Sequence, residues 1–588
     1  MMQSNFTAGF VVLLMALTTN GEDLLPAHTM TNLQLRTSGR DALASIQTVP
    51  ASHAHFDHAA RISVARRPRY PWELTLTLPS HAAMQPGDVG RLTFYVRCAA
   101  LSSNTSSARL DVRVTTKEES ERDLAALPVW ASEKWQQMIL PFKLRTASGT
   151  PDVTFNLGYA QQTIELGGVQ LLNYGAKDAP TPLPFTPISY EGREPTAAWR
   201  KQAQARIDTH RKADLIVQVT DSLHRPITGA VVTARMTRHA FRFGAAVTAY
   251  HLNLDTPEGQ WYRQIVMSNY NAAVFENDMK SGPWHMGLSN DRPDFRRTWL
   301  KQAMDWLDAQ QIHLRGHHLV NARFTPADYE FFRRNPNQLR NEIFAGMEEK
   351  LAALQGRVHE WDAISHVAVL ENSLEFIFNG PEIYADLFRK ARELEPDADL
   401  WINEGTILPG GLRRDHYENI ARYLIDQNAA LDGIGMMAHF SSLFLEAPTN
   451  LYVTLDRFAH LIPRLQLTEL DVRMNEDEQL QADYLRDVMI TAFSHPAVEG
   501  IYIWGFWEGR QPHPEAALYR LDGTPKKSAA AWRDLVFRDW WTQESVLTDS
   551  NGVARIRGYL GRYEIICDSL LTNMVLQAPA TEIHLTVR

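Results

Sequence analysis

At 588 residues the chain is too long for a single hydrophobic core, and roughly two to four domains are expected. Its residues are 44% hydrophobic and 22% charged, the balance of a globular protein rather than of a disordered or collagen-like chain. The net charge of −9 leaves no basic stripe, which argues against a nucleic-acid partner. The two cysteines, Cys98 and Cys567, fall in different candidate domains and show neither a disulfide framework nor metal-ligand spacing. No metal and no cofactor are expected.

The chain opens with the apolar run Gly9–Leu17, about the length of a signal-peptide core and too short to span a bilayer. No Lys or Arg precedes it. Residues 1–27 are read as a signal peptide or tail, with a secreted or periplasmic location and no membrane span. Residues 28–175 carry alternating runs at Glu73–Leu78, Arg91–Val96, Leu110–Thr115, Val153–Leu157 and Thr163–Leu171. Turn residues separate them, the pattern of a β-sandwich or jelly roll. In 176–211, Pro180, Pro182, Pro184, Pro187 and Pro195 disfavour regular structure and predict a linker. Residues 212–242 and 545–588 alternate again and are expected to form one small β appendage.

Between these flanks, over 243–544, short β-branched runs alternate with amphipathic stretches such as Phe295, Trp299, Ala303 and Trp306. The candidate strands are Phe243–Val247, Ala272–Phe275, His313–Val320, Glu360–Ser365, Leu400–Asn403, Gly433–Ala438, Leu465–Leu470 and Gly500–Gly505. That rhythm predicts an α/β fold, a (β/α)8 TIM barrel. A doubly wound open sheet is the alternative, but no Gly-rich phosphate loop follows the first strand.

Active sites of such barrels form at the C-terminal ends of the strands. Here those ends are dense in polar groups: Glu276, Asn277 and Lys280 after the second, His317 and His318 in the third, His439 after the sixth, Glu469 and Asp471 in the seventh, Trp504 after the eighth. The ordered segments FGAA, ENDMK, RGHHLV, WD, INE, GIG…HF, TELD and WGFWEG resemble glycoside hydrolase family 10 over roughly residues 240–545. The resemblance implies a retaining endo-acting glycosidase with xylan as default polysaccharide. It makes Glu469 the nucleophile, His439 the histidine touching it and Asp471 the carboxylate behind that histidine. Glu276, Asn277, Lys280 and His317 would hold sugars on the non-reducing side, and Trp504 would lie under the reacting sugar. The chemistry agrees: an ionised carboxylate must attack the anomeric carbon, and a His–Asp pair keeps it charged and oriented. The stretch Trp135–Phe142, with the residues that follow, resembles the end of a sandwich-type carbohydrate-binding module.

The fourth strand departs from the family. Its acid/base is a Glu closing a motif WD-x-x-Asn-Glu; here Trp361-Asp362-Ala363-Ile364 continues into Ser365 and His366. Met437 replaces a Gln before His439, and Asn321 a Trp after the third strand. Three accounts compete. His366 is itself the proton donor, since an ordinary histidine titrates near neutral pH. Alternatively Glu371 or Glu404 supplies the proton, Glu404 being expected to face the cleft and the sugar from the end of strand five. Or catalysis is lost and the barrel is a carbohydrate-binding pseudoenzyme. Arg510, past the eighth strand, is expected to line the cleft and could meet an acidic sugar.

Overall fold

The computed structural model describes residues 21–26, 30, 33–37, 43–68, 70–101, 107–116, 124–145, 148–176, 179, 182–286, 295–354, 356–474 and 477–587. The run Gly9–Leu17 lies outside them. The chain divides into two compact units, residues 1–66 with 71–187, and residues 67–70 with 188–588.

The first unit is a sandwich of two antiparallel sheets. One has the order Ala44–His53, Phe56–Val64, Gln162–Asn173, Val89–Leu101, Gln136–Lys143, with Glu22–Asp23 added beside Gln162–Asn173. The other has the order Leu35–Thr37, Leu74–Pro79, Asp152–Asn156, Ala108–Thr115, Ala125–Ala131. The period-two pattern explains the layering: Leu74, Leu76 and Leu78 are buried while Thr75 and Thr77 are not. Each such leucine contributes about 1.5–3 kcal/mol by leaving water. Phe94 meets Phe155 edge-on at 5.1 Å inside the core. Cys98 here, and Cys567 in the second unit, are buried free thiols.

The second unit is built on a closed eight-stranded parallel barrel: β1 Arg242–Val247, β2 Ala272–Phe275, β3 His313–Asn321, β4 Glu360–Ser365, β5 Asp399–Glu404, β6 Gly433–Met436, β7 Leu465–Arg473 and β8 Val498–Ile503. Pairing of Phe243 with Ile501 joins β8 to β1 and closes it. These are the eight strands read from the sequence, with ends differing by up to three residues. The helix Arg297–Ala309 buries Leu300, Ala303, Met304 and Leu307, so the core-facing stripe lies one position round from the one expected through Trp299 and Trp306. The large indoles are only partly buried beside it.

The two flanks pair with each other. Lys212–Thr220 runs antiparallel to Val553–Tyr559 and parallel to Ala580–Thr586. Val231–His239 lies between Gln543–Leu547 and Gly561–Cys567. The span 176–211 is not all linker. Its prolines stop at Pro195, and the Ala-, Lys-, Gln- and Arg-rich stretch beyond forms the helix Ala198–His210. That helix buries Trp199, Ala203 and Ile207, and Arg200 binds Asp487 of the helix Glu478–Ser494 at 2.6 Å. Among the described residues no helix is long and apolar enough to cross a membrane.

Candidate active site

Glu469 stands in β7, 4% exposed, and both its oxygens are engaged. Oε2 accepts from His439 Nε2 at 3.1 Å, and His439 Nδ1 donates to Asp471 Oδ2 at 2.7 Å. The short strand His439–Ser441 runs beside the end of β7 and pairs His439 with Asp471, which is how the backbone sets up that contact. With carboxylates on both ring nitrogens, both must carry protons. Burial works against charge on His439, but the hydrogen bonds to Asp471 and Glu469 outweigh it and raise its pKa to about 10. Burial likewise works against charge on Glu469. The bond from His439, with the charges of His317, His439 and Lys280, prevails and holds it at about 2.

The other oxygen faces β3 and β5. Glu469 Oε1 accepts from Asn403 Nδ2 at 3.3 Å and lies 3.9 Å from His317 Nε2. His317 Nδ1 donates to Asp362 Oδ2 at 2.7 Å, and Asn403 Nδ2 reaches the same oxygen at 3.2 Å. Arg315 pairs with the opposite oxygen of Asp362 and donates to Gln466 at 2.7 Å. The carboxylate therefore sits between two histidines, each backed by an aspartate.

Trp504 lies against both histidines, with ring centroids 5.2 Å from His317 and 6.5 Å from His439. Lys280 Nζ is 5.8 Å from its ring and donates to Asn277 Oδ1 at 3.0 Å. Asn277 donates to Glu276 Oε1 at 2.8 Å, and Arg510 Nε stands 3.6 Å from Glu276 Oε2. Burial lowers the pKa of Lys280, against the pull of Glu469 and Glu276. Arg510 thus shares its charge with Glu276, which weakens the expected pairing with an acidic sugar. Between Asn277 and Lys280, burial pushes the Asp278 carboxyl up to about 7.

His366 follows β4 directly. Its backbone is left-handed, φ 61°, and its N–H donates to Asn403 O at 2.9 Å. The side chain is 29% exposed, yet Nδ1 is buried without a hydrogen-bond partner, 3.6 Å from Glu404 Oε1.

Glu404 departs from its expected place. It is fully buried. Oε1 accepts from Gly405 N at 2.7 Å and Arg413 Nη2 at 2.5 Å, and Oε2 accepts from Ala368 N at 2.6 Å. Strand alternation explains the error: neighbouring residues of β5 face opposite ways, and Asn403, not Glu404, is the one that reaches Glu469. Glu404 has no surface to offer a sugar. Glu371 is exposed and lines a pocket with Arg323, Phe324, Asn372 and Arg413. Of the other positions expected to depart from the family motif, Ser365 and Met437 are buried and Asn321 is exposed.

Residues 233–533, just over half of the chain, match the family model for glycosyl hydrolase family 10. The chain belongs to that family. Among similar proteins, the anti-sigma-I factor RsgI6 of Acetivibrio thermocellus is 29% identical over 62% of this chain and 46% of its own length. Endo-1,4-beta-xylanase 1 of Arabidopsis thaliana is 26% identical over 64% of this chain and 38% of its own. The chain thus spans less than half the length of either relative. Among solved structures, xylanase 10B from Thermotoga petrophila in complex with xylobiose is 22% identical, with a TM-score of 0.44 over 51% of this chain and 95% of that one.

Within the family-10 barrel, Asn403 and Asp362, with Arg315 and Gln466 behind them, are members of the cluster that sequence reasoning did not place in the site. A strict count of strand alternation around Trp401 and Asn403 would have found the first. The WD segment contains Asp362, but its partners His317 and Arg315 come from the neighbouring strand, so only the fold shows its role.

Proposed function

We propose that this family-10 barrel is a retaining endo-glycosidase acting on a β-linked polysaccharide, with xylan as the first substrate to test. The observation that carries the reading is Glu469: a buried carboxylate kept ionised by His439 on one oxygen and bonded by Asn403 on the other. An oxygen of Glu469 attacks the anomeric carbon, and the glycosidic C–O bond breaks with its electron pair going to the leaving oxygen. His366 gives that oxygen a proton. Water then attacks the anomeric carbon, His366 takes a proton from it, and Glu469 departs as a carboxylate. Glu276, Asn277, Lys280 and His317 hold the sugars preceding the cleaved bond, and Trp504 is the flat face beneath the reacting ring.

The reading extends to the rest of the chain. The run Gly9–Leu17 supports export. In the sandwich, His53, Phe56, Tyr95 and Trp135 form an aromatic cluster with Arg97 4.9 Å over Trp135, which supports carbohydrate binding there. One observation favours a second reading, a sugar-binding barrel without turnover: a relative matched over 62% of this chain carries the name of an anti-sigma factor rather than of a hydrolase.

The test is a leaving-group comparison. His366→Ala should lose roughly 10²–10⁴-fold on a xylo-oligosaccharide, whose alkoxide leaves poorly, and far less on an aryl xylobioside with an acidic phenol. Equal retention on both substrates removes His366 from the mechanism. No turnover of either substrate by the parent protein, with oligosaccharide still bound, selects the second reading.

A further inference from the structure

Glu404 is a buried, fully engaged carboxylate that the mechanism above does not use. Two backbone N–H groups and Arg413 fix it at the end of β5. Burial favours its neutral form, but His366 and Arg413 prevail and hold it below the usual carboxylate range. Its Oε1 lies 3.6 Å from His366 Nδ1, an atom shut off from solvent and without a hydrogen-bond partner. The same carboxylate ties down Ala368, and the backbone of β5 ties down His366 through Asn403 O, so the segment 366–368 is clamped at both ends by β5.

We propose that Glu404 is the positioning residue for His366. It faces the Nδ1–H side of the ring and leaves Nε2 as the nitrogen that trades a proton with the leaving oxygen. The inference rests on His366 being the proton donor. A carboxylate on one nitrogen of an imidazole fixes its tautomer and ring orientation, which leaves the opposite nitrogen to do the chemistry. The charged surroundings fit: Arg413 stands behind Glu404 at 2.5 Å, and His318, which is driven neutral chiefly by burial, adds no competing charge from β3.

The experiment measures turnover of a xylo-oligosaccharide and of an aryl xylobioside by Glu404→Gln, His366→Ala and the double variant. The expected result is a fall of roughly 10–100-fold in the ratio of the two rates for Glu404→Gln. The double variant should be no worse in that ratio than His366→Ala, because the two residues act as one unit. A merely structural role would depress both substrates equally, and that result overturns the proposal. If His366→Ala leaves the ratio unchanged, the underlying reading fails as well; if it lowers the ratio and Glu404→Gln does not, the positioning role alone fails. Should Glu404→Gln not fold, 15N spectra of histidine-labelled parent protein decide, with His366→Ala supplying the assignment. Neutral His366 protonated on Nδ1 supports the proposal, and the Nε2–H tautomer overturns it.

Discussion

The surroundings of Glu469 and of His366 are built differently. On the side of Glu469 every group lies within or beside a strand and has its partner: His439 with Asp471, His317 with Asp362, Asn403 with both carboxylates. On the side of His366 the residue comes just after β4, on a left-handed backbone, with its ring partly exposed and one nitrogen without a hydrogen bond. The first is over-determined by the barrel interior, where removing a charged member strands its buried partner. The second stands at the lip, where a change of residue costs the fold little. The contrast is between a carboxylate held from several strands and a histidine held chiefly by its own backbone.

Substitutions can break or sharpen the contrast. The largest effect is expected from Glu469→Ala, which should lower kcat on the order of 10⁴–10⁶-fold on any substrate, activated or not. Steady-state rates on both leaving-group classes check it. His366→Ala comes next, with its loss confined to the poor leaving group.

His439→Asn should act through pH. Glu469 is depressed from 4.5 to about 2, so its contribution to stability is present above pH 4.5 and lost as pH falls through about 2. His439 is raised from 6.5 to about 10, so its contribution is present below pH 6.5 and lost as pH rises through about 10. The difference in melting temperature between parent and His439→Asn should therefore be greatest between pH 4.5 and 6.5 and shrink on either side. The acid limb of kcat/KM should also move to higher pH in the variant, since burial of Glu469 remains without its cation. A pH-independent difference in melting temperature would remove the ion pair from the account. The smallest effect is expected from Asn403→Ala. Of the bonds Asn403 makes to Glu469, Asp362 and Thr468, only the first bears directly on Glu469, and one hydrogen bond is worth about 1 kcal/mol, a loss of roughly fivefold in kcat.

Much of this was legible in the sequence, for physical reasons. Buried parallel strands are short β-branched runs, and the polar residues that interrupt them at the C-terminal ends mark the site. Glu469, His439, Asp471, Lys280 and Trp504 stand at those ends, and the structure brings them together. Glu404 does close β5, but the strand's alternation gives the approach to Glu469 to Asn403 and turns Glu404 toward Ala368 and Arg413. Asp362 and Asn403 escaped because their importance comes from side chains on other strands. The helix Ala198–His210 was hidden by a proline cluster that ends just before it. The clamp on His366 was out of reach altogether. It depends on Glu404 from β5 and Arg413 from the following helix, a juxtaposition that no spacing records.

The most direct test of the account is trapping. The protein is incubated with a 2-deoxy-2-fluoro-β-xylobioside carrying a dinitrophenolate leaving group, and the peptides are analysed by mass spectrometry. The account predicts a burst of dinitrophenolate and one fluoroxylobiosyl adduct, located on Glu469. Turnover of a xylo-oligosaccharide with inverted product and no adduct, or an adduct on another carboxylate, would contradict it.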